Sequence, residues 1–474
     1  MSDSLVLFID SVKTKLMPIN PVTTIHTGRP GRPRKTINSE WIEKTFAPHR
    51  SLSASEVAEA IGINRKTLQK IMRTHGVDDS FSAIMDEEID ILVTDLKTKK
   101  PGAGIRYVLG FFRRRGIKVQ QVRVRESLRR VDRVGQAVRR HKRIQRRTYS
   151  VPHPNALWHM DGHHKLIRWG IVVHGIIDGY CRTLVGLEAA TNNRASTVLS
   201  LFLKAVEEYG PPSRARADRG GENVEVSVWM ILHQGPNRGS FLWGDSQRNQ
   251  RIERAWVEVG SQVVRLWKAF FQRLERLHSL DISTPWHLWL LQLLFLSEIN
   301  RNLAEFRGDW NHHPISRLGH DKSPIDIRML GELRHGRYIG RHSMEDIHPD
   351  IAEVYGELGN DPERLSQKIA TDQVKSIRHD PVETPKSTCP FPAPEADAVF
   401  RSALDELDQL GNIPEGFGVA ESEWVNGEYP TTETILIARK ETDMVLPFEI
   451  WYPRAVRWAR AYELVVKFQI ALNI

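Results

Sequence analysis

The sequence predicts an α/β protein whose central part is a mixed five-stranded sheet with flanking helices. An all-α region is expected before this core, and an α+β or β accessory region after it. Two observations predict the core: three short apolar runs separated by turn residues begin at Leu157, and alternating helical and strand patterns follow them. A chain of 474 residues has room for about three domains of the usual size.

The composition excludes several classes of protein. With 40% hydrophobic and 26% charged residues, the chain is of ordinary globular composition. Its longest apolar run, Leu288–Ser297, is too short to cross a bilayer, and the first residues lack the pattern of a secretion signal, so no membrane partner is expected. Two cysteines, Cys181 and Cys389, are too few for a disulfide framework or a four-cysteine zinc site.

The charge is unevenly distributed along the chain. The net charge is +9, but residues 101–150 carry 16 Lys and Arg against 2 Asp and Glu. Residues 343–474 carry 12 Lys and Arg against 24 Asp and Glu. A concentrated basic block of this kind indicates a polyanion partner, with double-stranded DNA as the leading candidate. A solvated basic face without a partner is the alternative.

Residues 1–50 are predicted to form a basic, partly disordered arm. The segment Gly28–Lys35 is rich in Gly, Pro and Arg, so it cannot be a helix or a central strand. It resembles an AT-hook, in which extended arginines enter a narrow minor groove; a plain linker is the alternative. The arginines predicted to contact DNA here are Arg29 and Arg32.

Residues 51–80 are predicted to form a helix-turn-helix. Ser53 and Glu56 have capping-box spacing, and Asn64 can cap the second helix. The exposed start of that second helix is the part that a major groove would meet. The residues predicted to contact DNA are Arg65 and Lys66. A protein-interaction module of the same shape is the alternative.

Residues 81–150 are predicted to form a basic helical module whose apolar clusters are separate from those of the core. Its arginine clusters are of the kind that binds phosphates. The arginines predicted to contact DNA are Arg113, Arg114, Arg115, Arg139 and Arg140. The run Arg139–Arg147 also has the composition of a nuclear-import signal, and we therefore expect a nuclear protein.

Residues 151–330 contain the predicted sheet. Three antiparallel strands come first, followed by alternating helices and strands, which is the order of a ribonuclease-H-like core. The predicted strands are Leu157–Gly162, Gly170–Ile177, Thr183–Ala190, Ser213–Ala217 and Phe241–Gly244. The predicted helices are Ala195–Tyr209, Val224–His233, one long helix from residue 247 to about residue 278, and Trp286–Phe306.

Three acidic residues occupy comparable places in this core. Asp161 lies within the first strand, Asp218 ends the fourth, and Glu253 lies on the long helix. Hard divalent cations prefer carboxylate oxygens, and three carboxylates can hold two ions about 4 Å apart on either side of a phosphodiester. The glycines beside Asp218 would allow a nucleic-acid backbone to come close.

These residues carry a resemblance to a known family. Asp161, Asp218 and Glu253, with 34 residues between the last two, resemble the D,D,E triad of retroviral-type integrase catalytic cores. Further blocks are similar to stand-alone eukaryotic integrase-core proteins of mobile-element origin. These blocks are Asp161–Lys165, Gly175–Arg182, Asp218–Asn223, Arg248–Arg254 and Trp310–Pro314. The resemblance implies DNA integration with two Mg²⁺ or Mn²⁺ ions held by the triad.

Several residues around the triad are candidates for holding the scissile phosphate. They are Lys165, Arg219, Gln250, Arg251 and Arg254. Two other acids are expected to have different roles. Glu258 is about 140° round the helix from Glu253 and is expected to be a surface charge, and Asp178 is expected to be a turn residue.

The leading functional hypothesis is a DNA integrase or transposase that performs 3′-end processing and strand transfer. A domesticated DNA-binding protein that keeps the fold without catalysis is the alternative, and a nuclease for RNA–DNA hybrids is a weaker one. Joining two DNA ends requires two active sites, so a homo-oligomer, a dimer or tetramer on DNA, is expected. The large apolar side chains of Trp286–Leu296 are a candidate interface; alternatively, they pack on their own core.

The rest of the chain carries no functional motif. Residues 331–395 are proline-rich towards their end and are predicted to be a linker. Residues 396–474 are predicted to be an accessory region with strands at Thr434–Ala438 and Met444–Trp451.

Overall fold

The computed structural model describes most of the chain. The described residues are 16–17, 19–26, 33–77, 80–100, 102–132, 151–244, 249–315, 322–340, 348, 350–355, 361–411, 413–414, 431–437 and 440–472. Four of the arginines predicted to bind DNA, Arg29, Arg32, Arg139 and Arg140, lie outside them.

The N-terminal part is mainly helical, as predicted. Its strands are β1 (Leu16–Met17), β2 (Val22–Ile25) and β3 (Arg34–Ile37), and its helices are α1 (Ser39–Thr45), α2 (Ala54–Ala60), α3 (Arg65–Thr74), α4 (Asp86–Lys99), α5 (Ile105–Arg114) and α6 (Gln121–Val131). The β2–β3 hairpin and α1 show that the predicted arm is folded at Val22–Ile25 and again from Arg34 onwards. Val22 and Ile37 are paired across the hairpin and join the apolar cluster of α1–α3, which explains why this segment is ordered.

The predicted capping signals of α2 and α3 are present. The Ser53 backbone N–H donates to Oε2 of Glu56 at 3.1 Å, and the Glu56 N–H donates back to Oγ of Ser53 at 3.4 Å. The Asn64 side chain accepts from the Lys66 N–H at 2.9 Å. Arg65 is exposed beside Lys66 at the start of α3. These bonds satisfy N–H groups that a helix start leaves without partners.

The core sheet has five strands, in the order β6-β5-β4-β7-β8. They are β4 (Trp158–His163), β5 (Val172–Asp178), β6 (Leu184–Ala190), β7 (Ala215–Ala217) and β8 (Phe241–Trp243). β4, β5 and β6 pair antiparallel, and β7 pairs parallel with both β4 and β8. The sheet is therefore mixed, and the predicted ribonuclease-H-like α/β fold is confirmed.

Helices cover both faces of the sheet. They are α7 (Ala195–Tyr209), α8 (Val224–Gln234), α9 (Gln250–Val259), α10 (Arg265–Leu277) and α11 (Pro285–His312). One face packs against α7 and α8 through Trp158, Met160 and Phe202, and the other packs against α9 to α11. The single long helix predicted from residue 247 is two helices joined by a π-helical turn at Gly260–Val264.

The remaining elements extend the core rather than follow it as a bare linker. They are α12 (Pro324–His335), β9 (Arg337–Tyr338), α13 (Ile351–Tyr355), α14 (Pro362–Val374), α15 (Pro394–Leu410), β10 (Thr432–Ile437), β11 (Lys440–Val445) and α16 (Phe448–Leu472). Leu365 and Ile369 lie one turn apart on α14 and are buried against Val228 and Ile231 of α8. The segment predicted as a linker is thus partly helical and packed on the core.

The predicted strand Met444–Trp451 is wrong in its second half. β11 ends at Val445, and Pro447 cannot donate a ladder hydrogen bond. Beyond it the buried residues recur at helical spacing, as Trp451, Ala455 and Trp458 show, so the segment folds as α16. The C-terminal region is consequently α+β.

The large apolar side chains of α11 pack against other parts of the same chain. Trp289 packs against Phe391 and Phe400, with ring centroids 5.7 and 5.8 Å apart, and Trp286 packs against Tyr462 at 5.4 Å. The candidate subunit interface at Trp286–Leu296 is therefore wrong for this structure, because α15 and α16 occupy that face. Among the described residues, no helix combines the length and apolarity that a membrane crossing requires.

Helices α4 to α6 have an apolar cluster of their own, as expected, but α5 is also joined to the core. Tyr107 of α5 belongs to the main core cluster and stacks on His313 with 5.1 Å between ring centroids. Asp309 of α11 is buried between Lys100, at 2.7 Å, and Arg114, at 3.0 Å. A buried carboxylate needs such partners, so this pairing anchors α4 and α5 on the core.

Candidate active site

Strand register brings two of the predicted acids together. In the parallel pair of β4 and β7, Trp158 lies opposite Ala215 and His159 opposite Arg216. Continuing that register places Asp161 beside Asp218, one residue past the end of β7. Trp158 and Met160 face the cluster under α7 and α8, so alternation turns Asp161 to the opposite face, where α9 lies.

A tryptophan on α9 holds the Asp161 carboxylate. Nε1–H of Trp256 donates to Oδ2 of Asp161 at 2.7 Å. The residue opposite Asp161 on β5 is Gly175, and a Cβ there would lie 2.5 Å from Cη2 of Trp256. The missing side chain at Gly175 is therefore what admits the indole ring to the sheet surface.

Glu253 lies one turn before Trp256 on the same helix. Residues three apart on a helix share a face, so Glu253 is directed towards the strands that carry the two aspartates. Burial and the negative charge of Asp218 raise the pKa of Glu253, whereas the ammonium group of Lys165 opposes the shift. The third acid and the candidate phosphate ligand Lys165 thus belong to the same electrostatic neighbourhood.

The carboxyl group of Asp161 has a strongly raised pKa. Burial raises its pKa to about 7, the hydrogen bond from Trp256 opposes this shift, and the negative charges of Asp218 and Glu253 add to it. The charges of Asp218 and Glu253 thus act on Asp161, which indicates that the three acids lie in the same region; their shared role as a triad stays a prediction. Such a raised pKa is typical of carboxylates gathered at a functional site.

The donor set has the chemistry of a hard-cation site. All three groups are carboxylates, and a bound cation would offset the burial and the repulsion that together raise the pKa of Asp161. Within the described part of the chain, however, no three His, Cys, Asp or Glu side chains are close enough to form a ready-made metal cluster. The residues therefore fit divalent ions in the chemistry of their ligand atoms.

Two asparagines that the sequence analysis missed position the acids. Nδ2 of Asn223 donates to Oδ1 of Asp218 at 3.0 Å. Asn249 is buried just before α9, where its Nδ2 donates to the Met160 carbonyl at 2.6 Å and its Oδ1 lies 2.8 Å from Nδ1 of His159. Asn249 thereby ties the start of α9 to β4. Both asparagines lie inside the blocks that carried the family resemblance, which was the available signal.

The predicted phosphate ligands differ in their surroundings. Lys165 and Gln250 are exposed, and Arg219 is half-buried in the loop after Asp218. Nε of Arg251 donates to the Gly179 carbonyl at 3.1 Å, and Arg254 pairs with Glu258 at 2.6 Å. DNA contact by these five residues stays a prediction.

The two other acids are accounted for. The fully buried Asp178 accepts hydrogen bonds from the N–H groups of Asn155, Tyr180 and Cys181, as expected of a turn residue. Glu258 makes its ion pair with Arg254 on the helix surface and takes no part in the triad.

The described arginine cluster of α5 has partners within the chain. Arg113 donates to the His312 carbonyl at 3.4 Å, Arg114 pairs with Glu305 as well as Asp309, and the Arg115 guanidinium lies 3.6 Å from the centroid of the Phe111 ring. In this structure the ion pairs of the Arg114 guanidinium hold α5 on α11. Phosphate contact by these three arginines stays a prediction.

Comparison with known proteins agrees with the geometry. Residues 148–338 match a family model described as an integrase core domain. The match begins just before β4 and ends at β9, so it includes the whole sheet, α7 to α12 and the three acids. No curated protein matches the chain.

Proposed function

Because residues 148–338 form an integrase core domain, a class of polynucleotidyl transferase, we propose that the protein is a DNA integrase or transposase with Asp161, Asp218 and Glu253 as its catalytic residues. The observation that carries the proposal is the register of β4 and β7, which sets the two aspartates side by side beneath α9. The core family implies DNA as a partner and typically uses divalent metals.

The reaction consists of two in-line displacements on phosphorus. Water attacks one phosphodiester and frees a 3′-hydroxyl, and that hydroxyl then attacks a target phosphodiester. Each step forms one P–O bond and breaks one, without a covalent protein intermediate. Two Mg²⁺ or Mn²⁺ ions, when bound, would activate the attacking oxygen and stabilise the leaving one.

The protein side chains supply ligands and hold them in place. The three carboxylates would bind the cations, while Trp256 and Asn223 each hold one oxygen, of Asp161 and of Asp218 respectively. Fixing one oxygen of each aspartate limits its rotation, so that the other oxygen is presented in a constant direction. Lys165, whose charge opposes the rise in the pKa of Glu253, would neutralise a substrate phosphate.

The same proposal covers the partners and location of the protein. The exposed start of α3, with Arg65 and Lys66, would enter a major groove as the second helix of a helix-turn-helix. One chain offers one triad, so joining two DNA ends calls for a homo-oligomer, a dimer or tetramer on DNA. We also propose a nuclear location, which rests on the basic run Arg139–Arg147 outside the described residues.

Amide variants of the triad test the catalytic proposal. Asp161→Asn, Asp218→Asn and Glu253→Gln should abolish metal-dependent cleavage and joining of labelled duplex oligonucleotides, because each removes a cation ligand. Glu225→Gln is the matched control: Glu225 is exposed in the first turn of α8, outside the triad, and its loss should leave the rate unchanged.

Two outcomes would count against the proposal. If Glu253→Gln kept most of the wild-type strand-transfer rate, the role of that residue would be wrong. If the wild-type protein bound duplex DNA without metal-dependent cleavage, as is expected of Asp161→Asn, the non-catalytic alternative would hold. The absence of a ready-made metal cluster among the described residues is the observation that keeps this alternative in view.

A further inference from the structure

A segment from outside the integrase core domain lies against the loop that follows Asp218. The Arg378 N–H donates to the Arg219 carbonyl at 3.0 Å, and the Gly221 N–H donates to the His379 carbonyl at 3.2 Å. Gly220 and His379 also form a parallel β-bridge. Residues 378–381 therefore run alongside the catalytic loop and are joined to it by one isolated β-bridge, and we call them the loop-binding segment.

The glycines of the catalytic loop admit this segment. A Cβ at Gly221 would lie 2.7 Å from Cδ of Pro381, so a side chain there would push the segment away. From the sequence, these glycines are predicted to admit a nucleic-acid backbone. In the structure the space beside Gly221 is used by the protein's own chain.

Anchors on both sides fix the loop-binding segment. Before it, Nε1 of Trp243 on β8 donates to Oε1 of Gln373 on α14 at 3.0 Å. After it, Oγ1 of Thr384 donates to the Thr191 carbonyl at 3.1 Å, and Oγ of Ser387 donates to Oε1 of Gln292 at 2.9 Å. Contacts on both sides therefore fix the position of the loop-binding segment against the catalytic loop.

Two side chains of the segment are exposed, and one of them lies beside Asp218. Nε2 of His379 lies 3.8 Å from Oδ2 of Asp218, and about half of the imidazole is exposed. The neighbouring Arg378 side chain is also exposed. Residues 343–474 are acidic as a whole, with 12 Lys and Arg against 24 Asp and Glu. Arg378 is therefore a cation within a predominantly acidic stretch of the sequence.

We propose that the loop-binding segment forms one wall of the DNA site, where Arg378 and His379 contact phosphates of the strand that Asp218 acts on. An exposed guanidinium and imidazole suit phosphate oxygens, and the β-bridge holds them at a fixed distance from Asp218. The identity of the ligand as DNA rests on the proposed function. A segment that instead covers the site and excludes DNA is the competing outcome.

Duplex affinity of the full chain, measured in EDTA over a range of salt concentrations, tests the proposal without needing catalysis. Arg378→Ala should weaken binding about tenfold, the loss of one charge-assisted hydrogen bond, and should lower the salt slope by about 1. His379→Ala should weaken binding severalfold. Lys386→Ala is the matched control, because it removes an exposed cation of the same stretch beyond the anchor at Thr384.

Cross-linking provides a readout of position. In a Cys389→Ser background, where the remaining Cys181 is buried, His379→Cys should form a disulfide with a duplex that carries a thiol on a phosphate. Glu383→Cys, exposed four residues further along, should react much less.

The outcomes separate this inference from the proposed function. An affinity of Arg378→Ala no weaker than that of Lys386→Ala, or tighter binding by Arg378→Ala or His379→Ala, would overturn the inference even if the wild-type protein cleaves DNA. Loss of affinity with the predicted salt slope would support the inference even in a protein that cleaves nothing.

Discussion

Replacing Asp161 by asparagine should stabilise the metal-free protein above neutral pH. Burial, with the added charges of Asp218 and Glu253, raises the pKa of Asp161 from 3.8 to about 7 in the folded state. A carboxyl with a raised folded-state pKa keeps its proton when the unfolded chain has lost it. Between about pH 4 and pH 7 the free energy of unfolding therefore decreases as the pH rises, and above pH 7 the full penalty is present.

The size of the effect follows from the shift. About 3 pH units at 1.36 kcal/mol each give a ceiling of about 4 kcal/mol. The side chain keeps some contact with solvent, which screens its charge, so about 2 kcal/mol is the expected gain. The amide introduced by Asp161→Asn keeps an oxygen that can accept from Trp256, so the substitution costs no hydrogen bond at that position.

Urea unfolding in EDTA at pH 8 and pH 4.5 measures this difference. The variant should be more stable than the wild type at pH 8 and nearly equal to it at pH 4.5, and saturating Mg²⁺ should raise the stability of the wild type only. Glu225→Gln, which removes an exposed carboxylate on α8, should change neither value. A variant as stable as the wild type at pH 8, or a difference independent of pH, would refute the reasoning.

Two further predictions concern packing. Gly175→Ala should destabilise the protein by about 1–3 kcal/mol, because the new methyl group would lie 2.5 Å from Trp256. Urea unfolding checks this against Gly244→Ala, where a Cβ meets no described atom within 4 Å. Equal stabilities of the two variants would contradict the packing of the Trp256 indole on Gly175. Asp309→Asn leaves Lys100 buried without its carboxylate and should cost about 3–5 kcal/mol. Hydrogen exchange should then show faster opening of α4 and α5, and unchanged protection there would show that the pairing does not hold them.

The sheet and the triad could be predicted because their signals are local. Each strand is a short apolar run between turn residues, and the motif around Asp218 marks a strand end whatever lies beside it. The register that joins Asp161 to Asp218 follows from the strand order. The sequence also indicated the turn role of Asp178, whose three N–H partners lie mostly within the next few residues.

What could not be predicted depends on residues far apart in the chain. In the sequence, Trp256 cannot be distinguished from the other apolar residues of its helix. Its contact with the sheet depends on Gly175, which is distant in the chain. The sequence around Arg114 indicates a DNA-binding cluster, because its ion-pair partner Asp309 on α11 is almost two hundred residues away in the chain. His379 lies in a proline-rich stretch without periodicity, and only the bridge to Gly220 brings it to the site.

These distant contacts also bear on how the protein is best studied. The integrase core domain, residues 148–338, ends before the loop-binding segment and before α15 and α16, which cover Trp286 and Trp289 of α11. It also begins after Lys100 and Arg114, the two cations that pair with the buried Asp309. An isolated core fragment would therefore expose an apolar face, leave a buried carboxylate without these partners and lack one wall of the proposed DNA site. Weak binding by such a fragment would report these losses, so the triad has to be judged in the full chain.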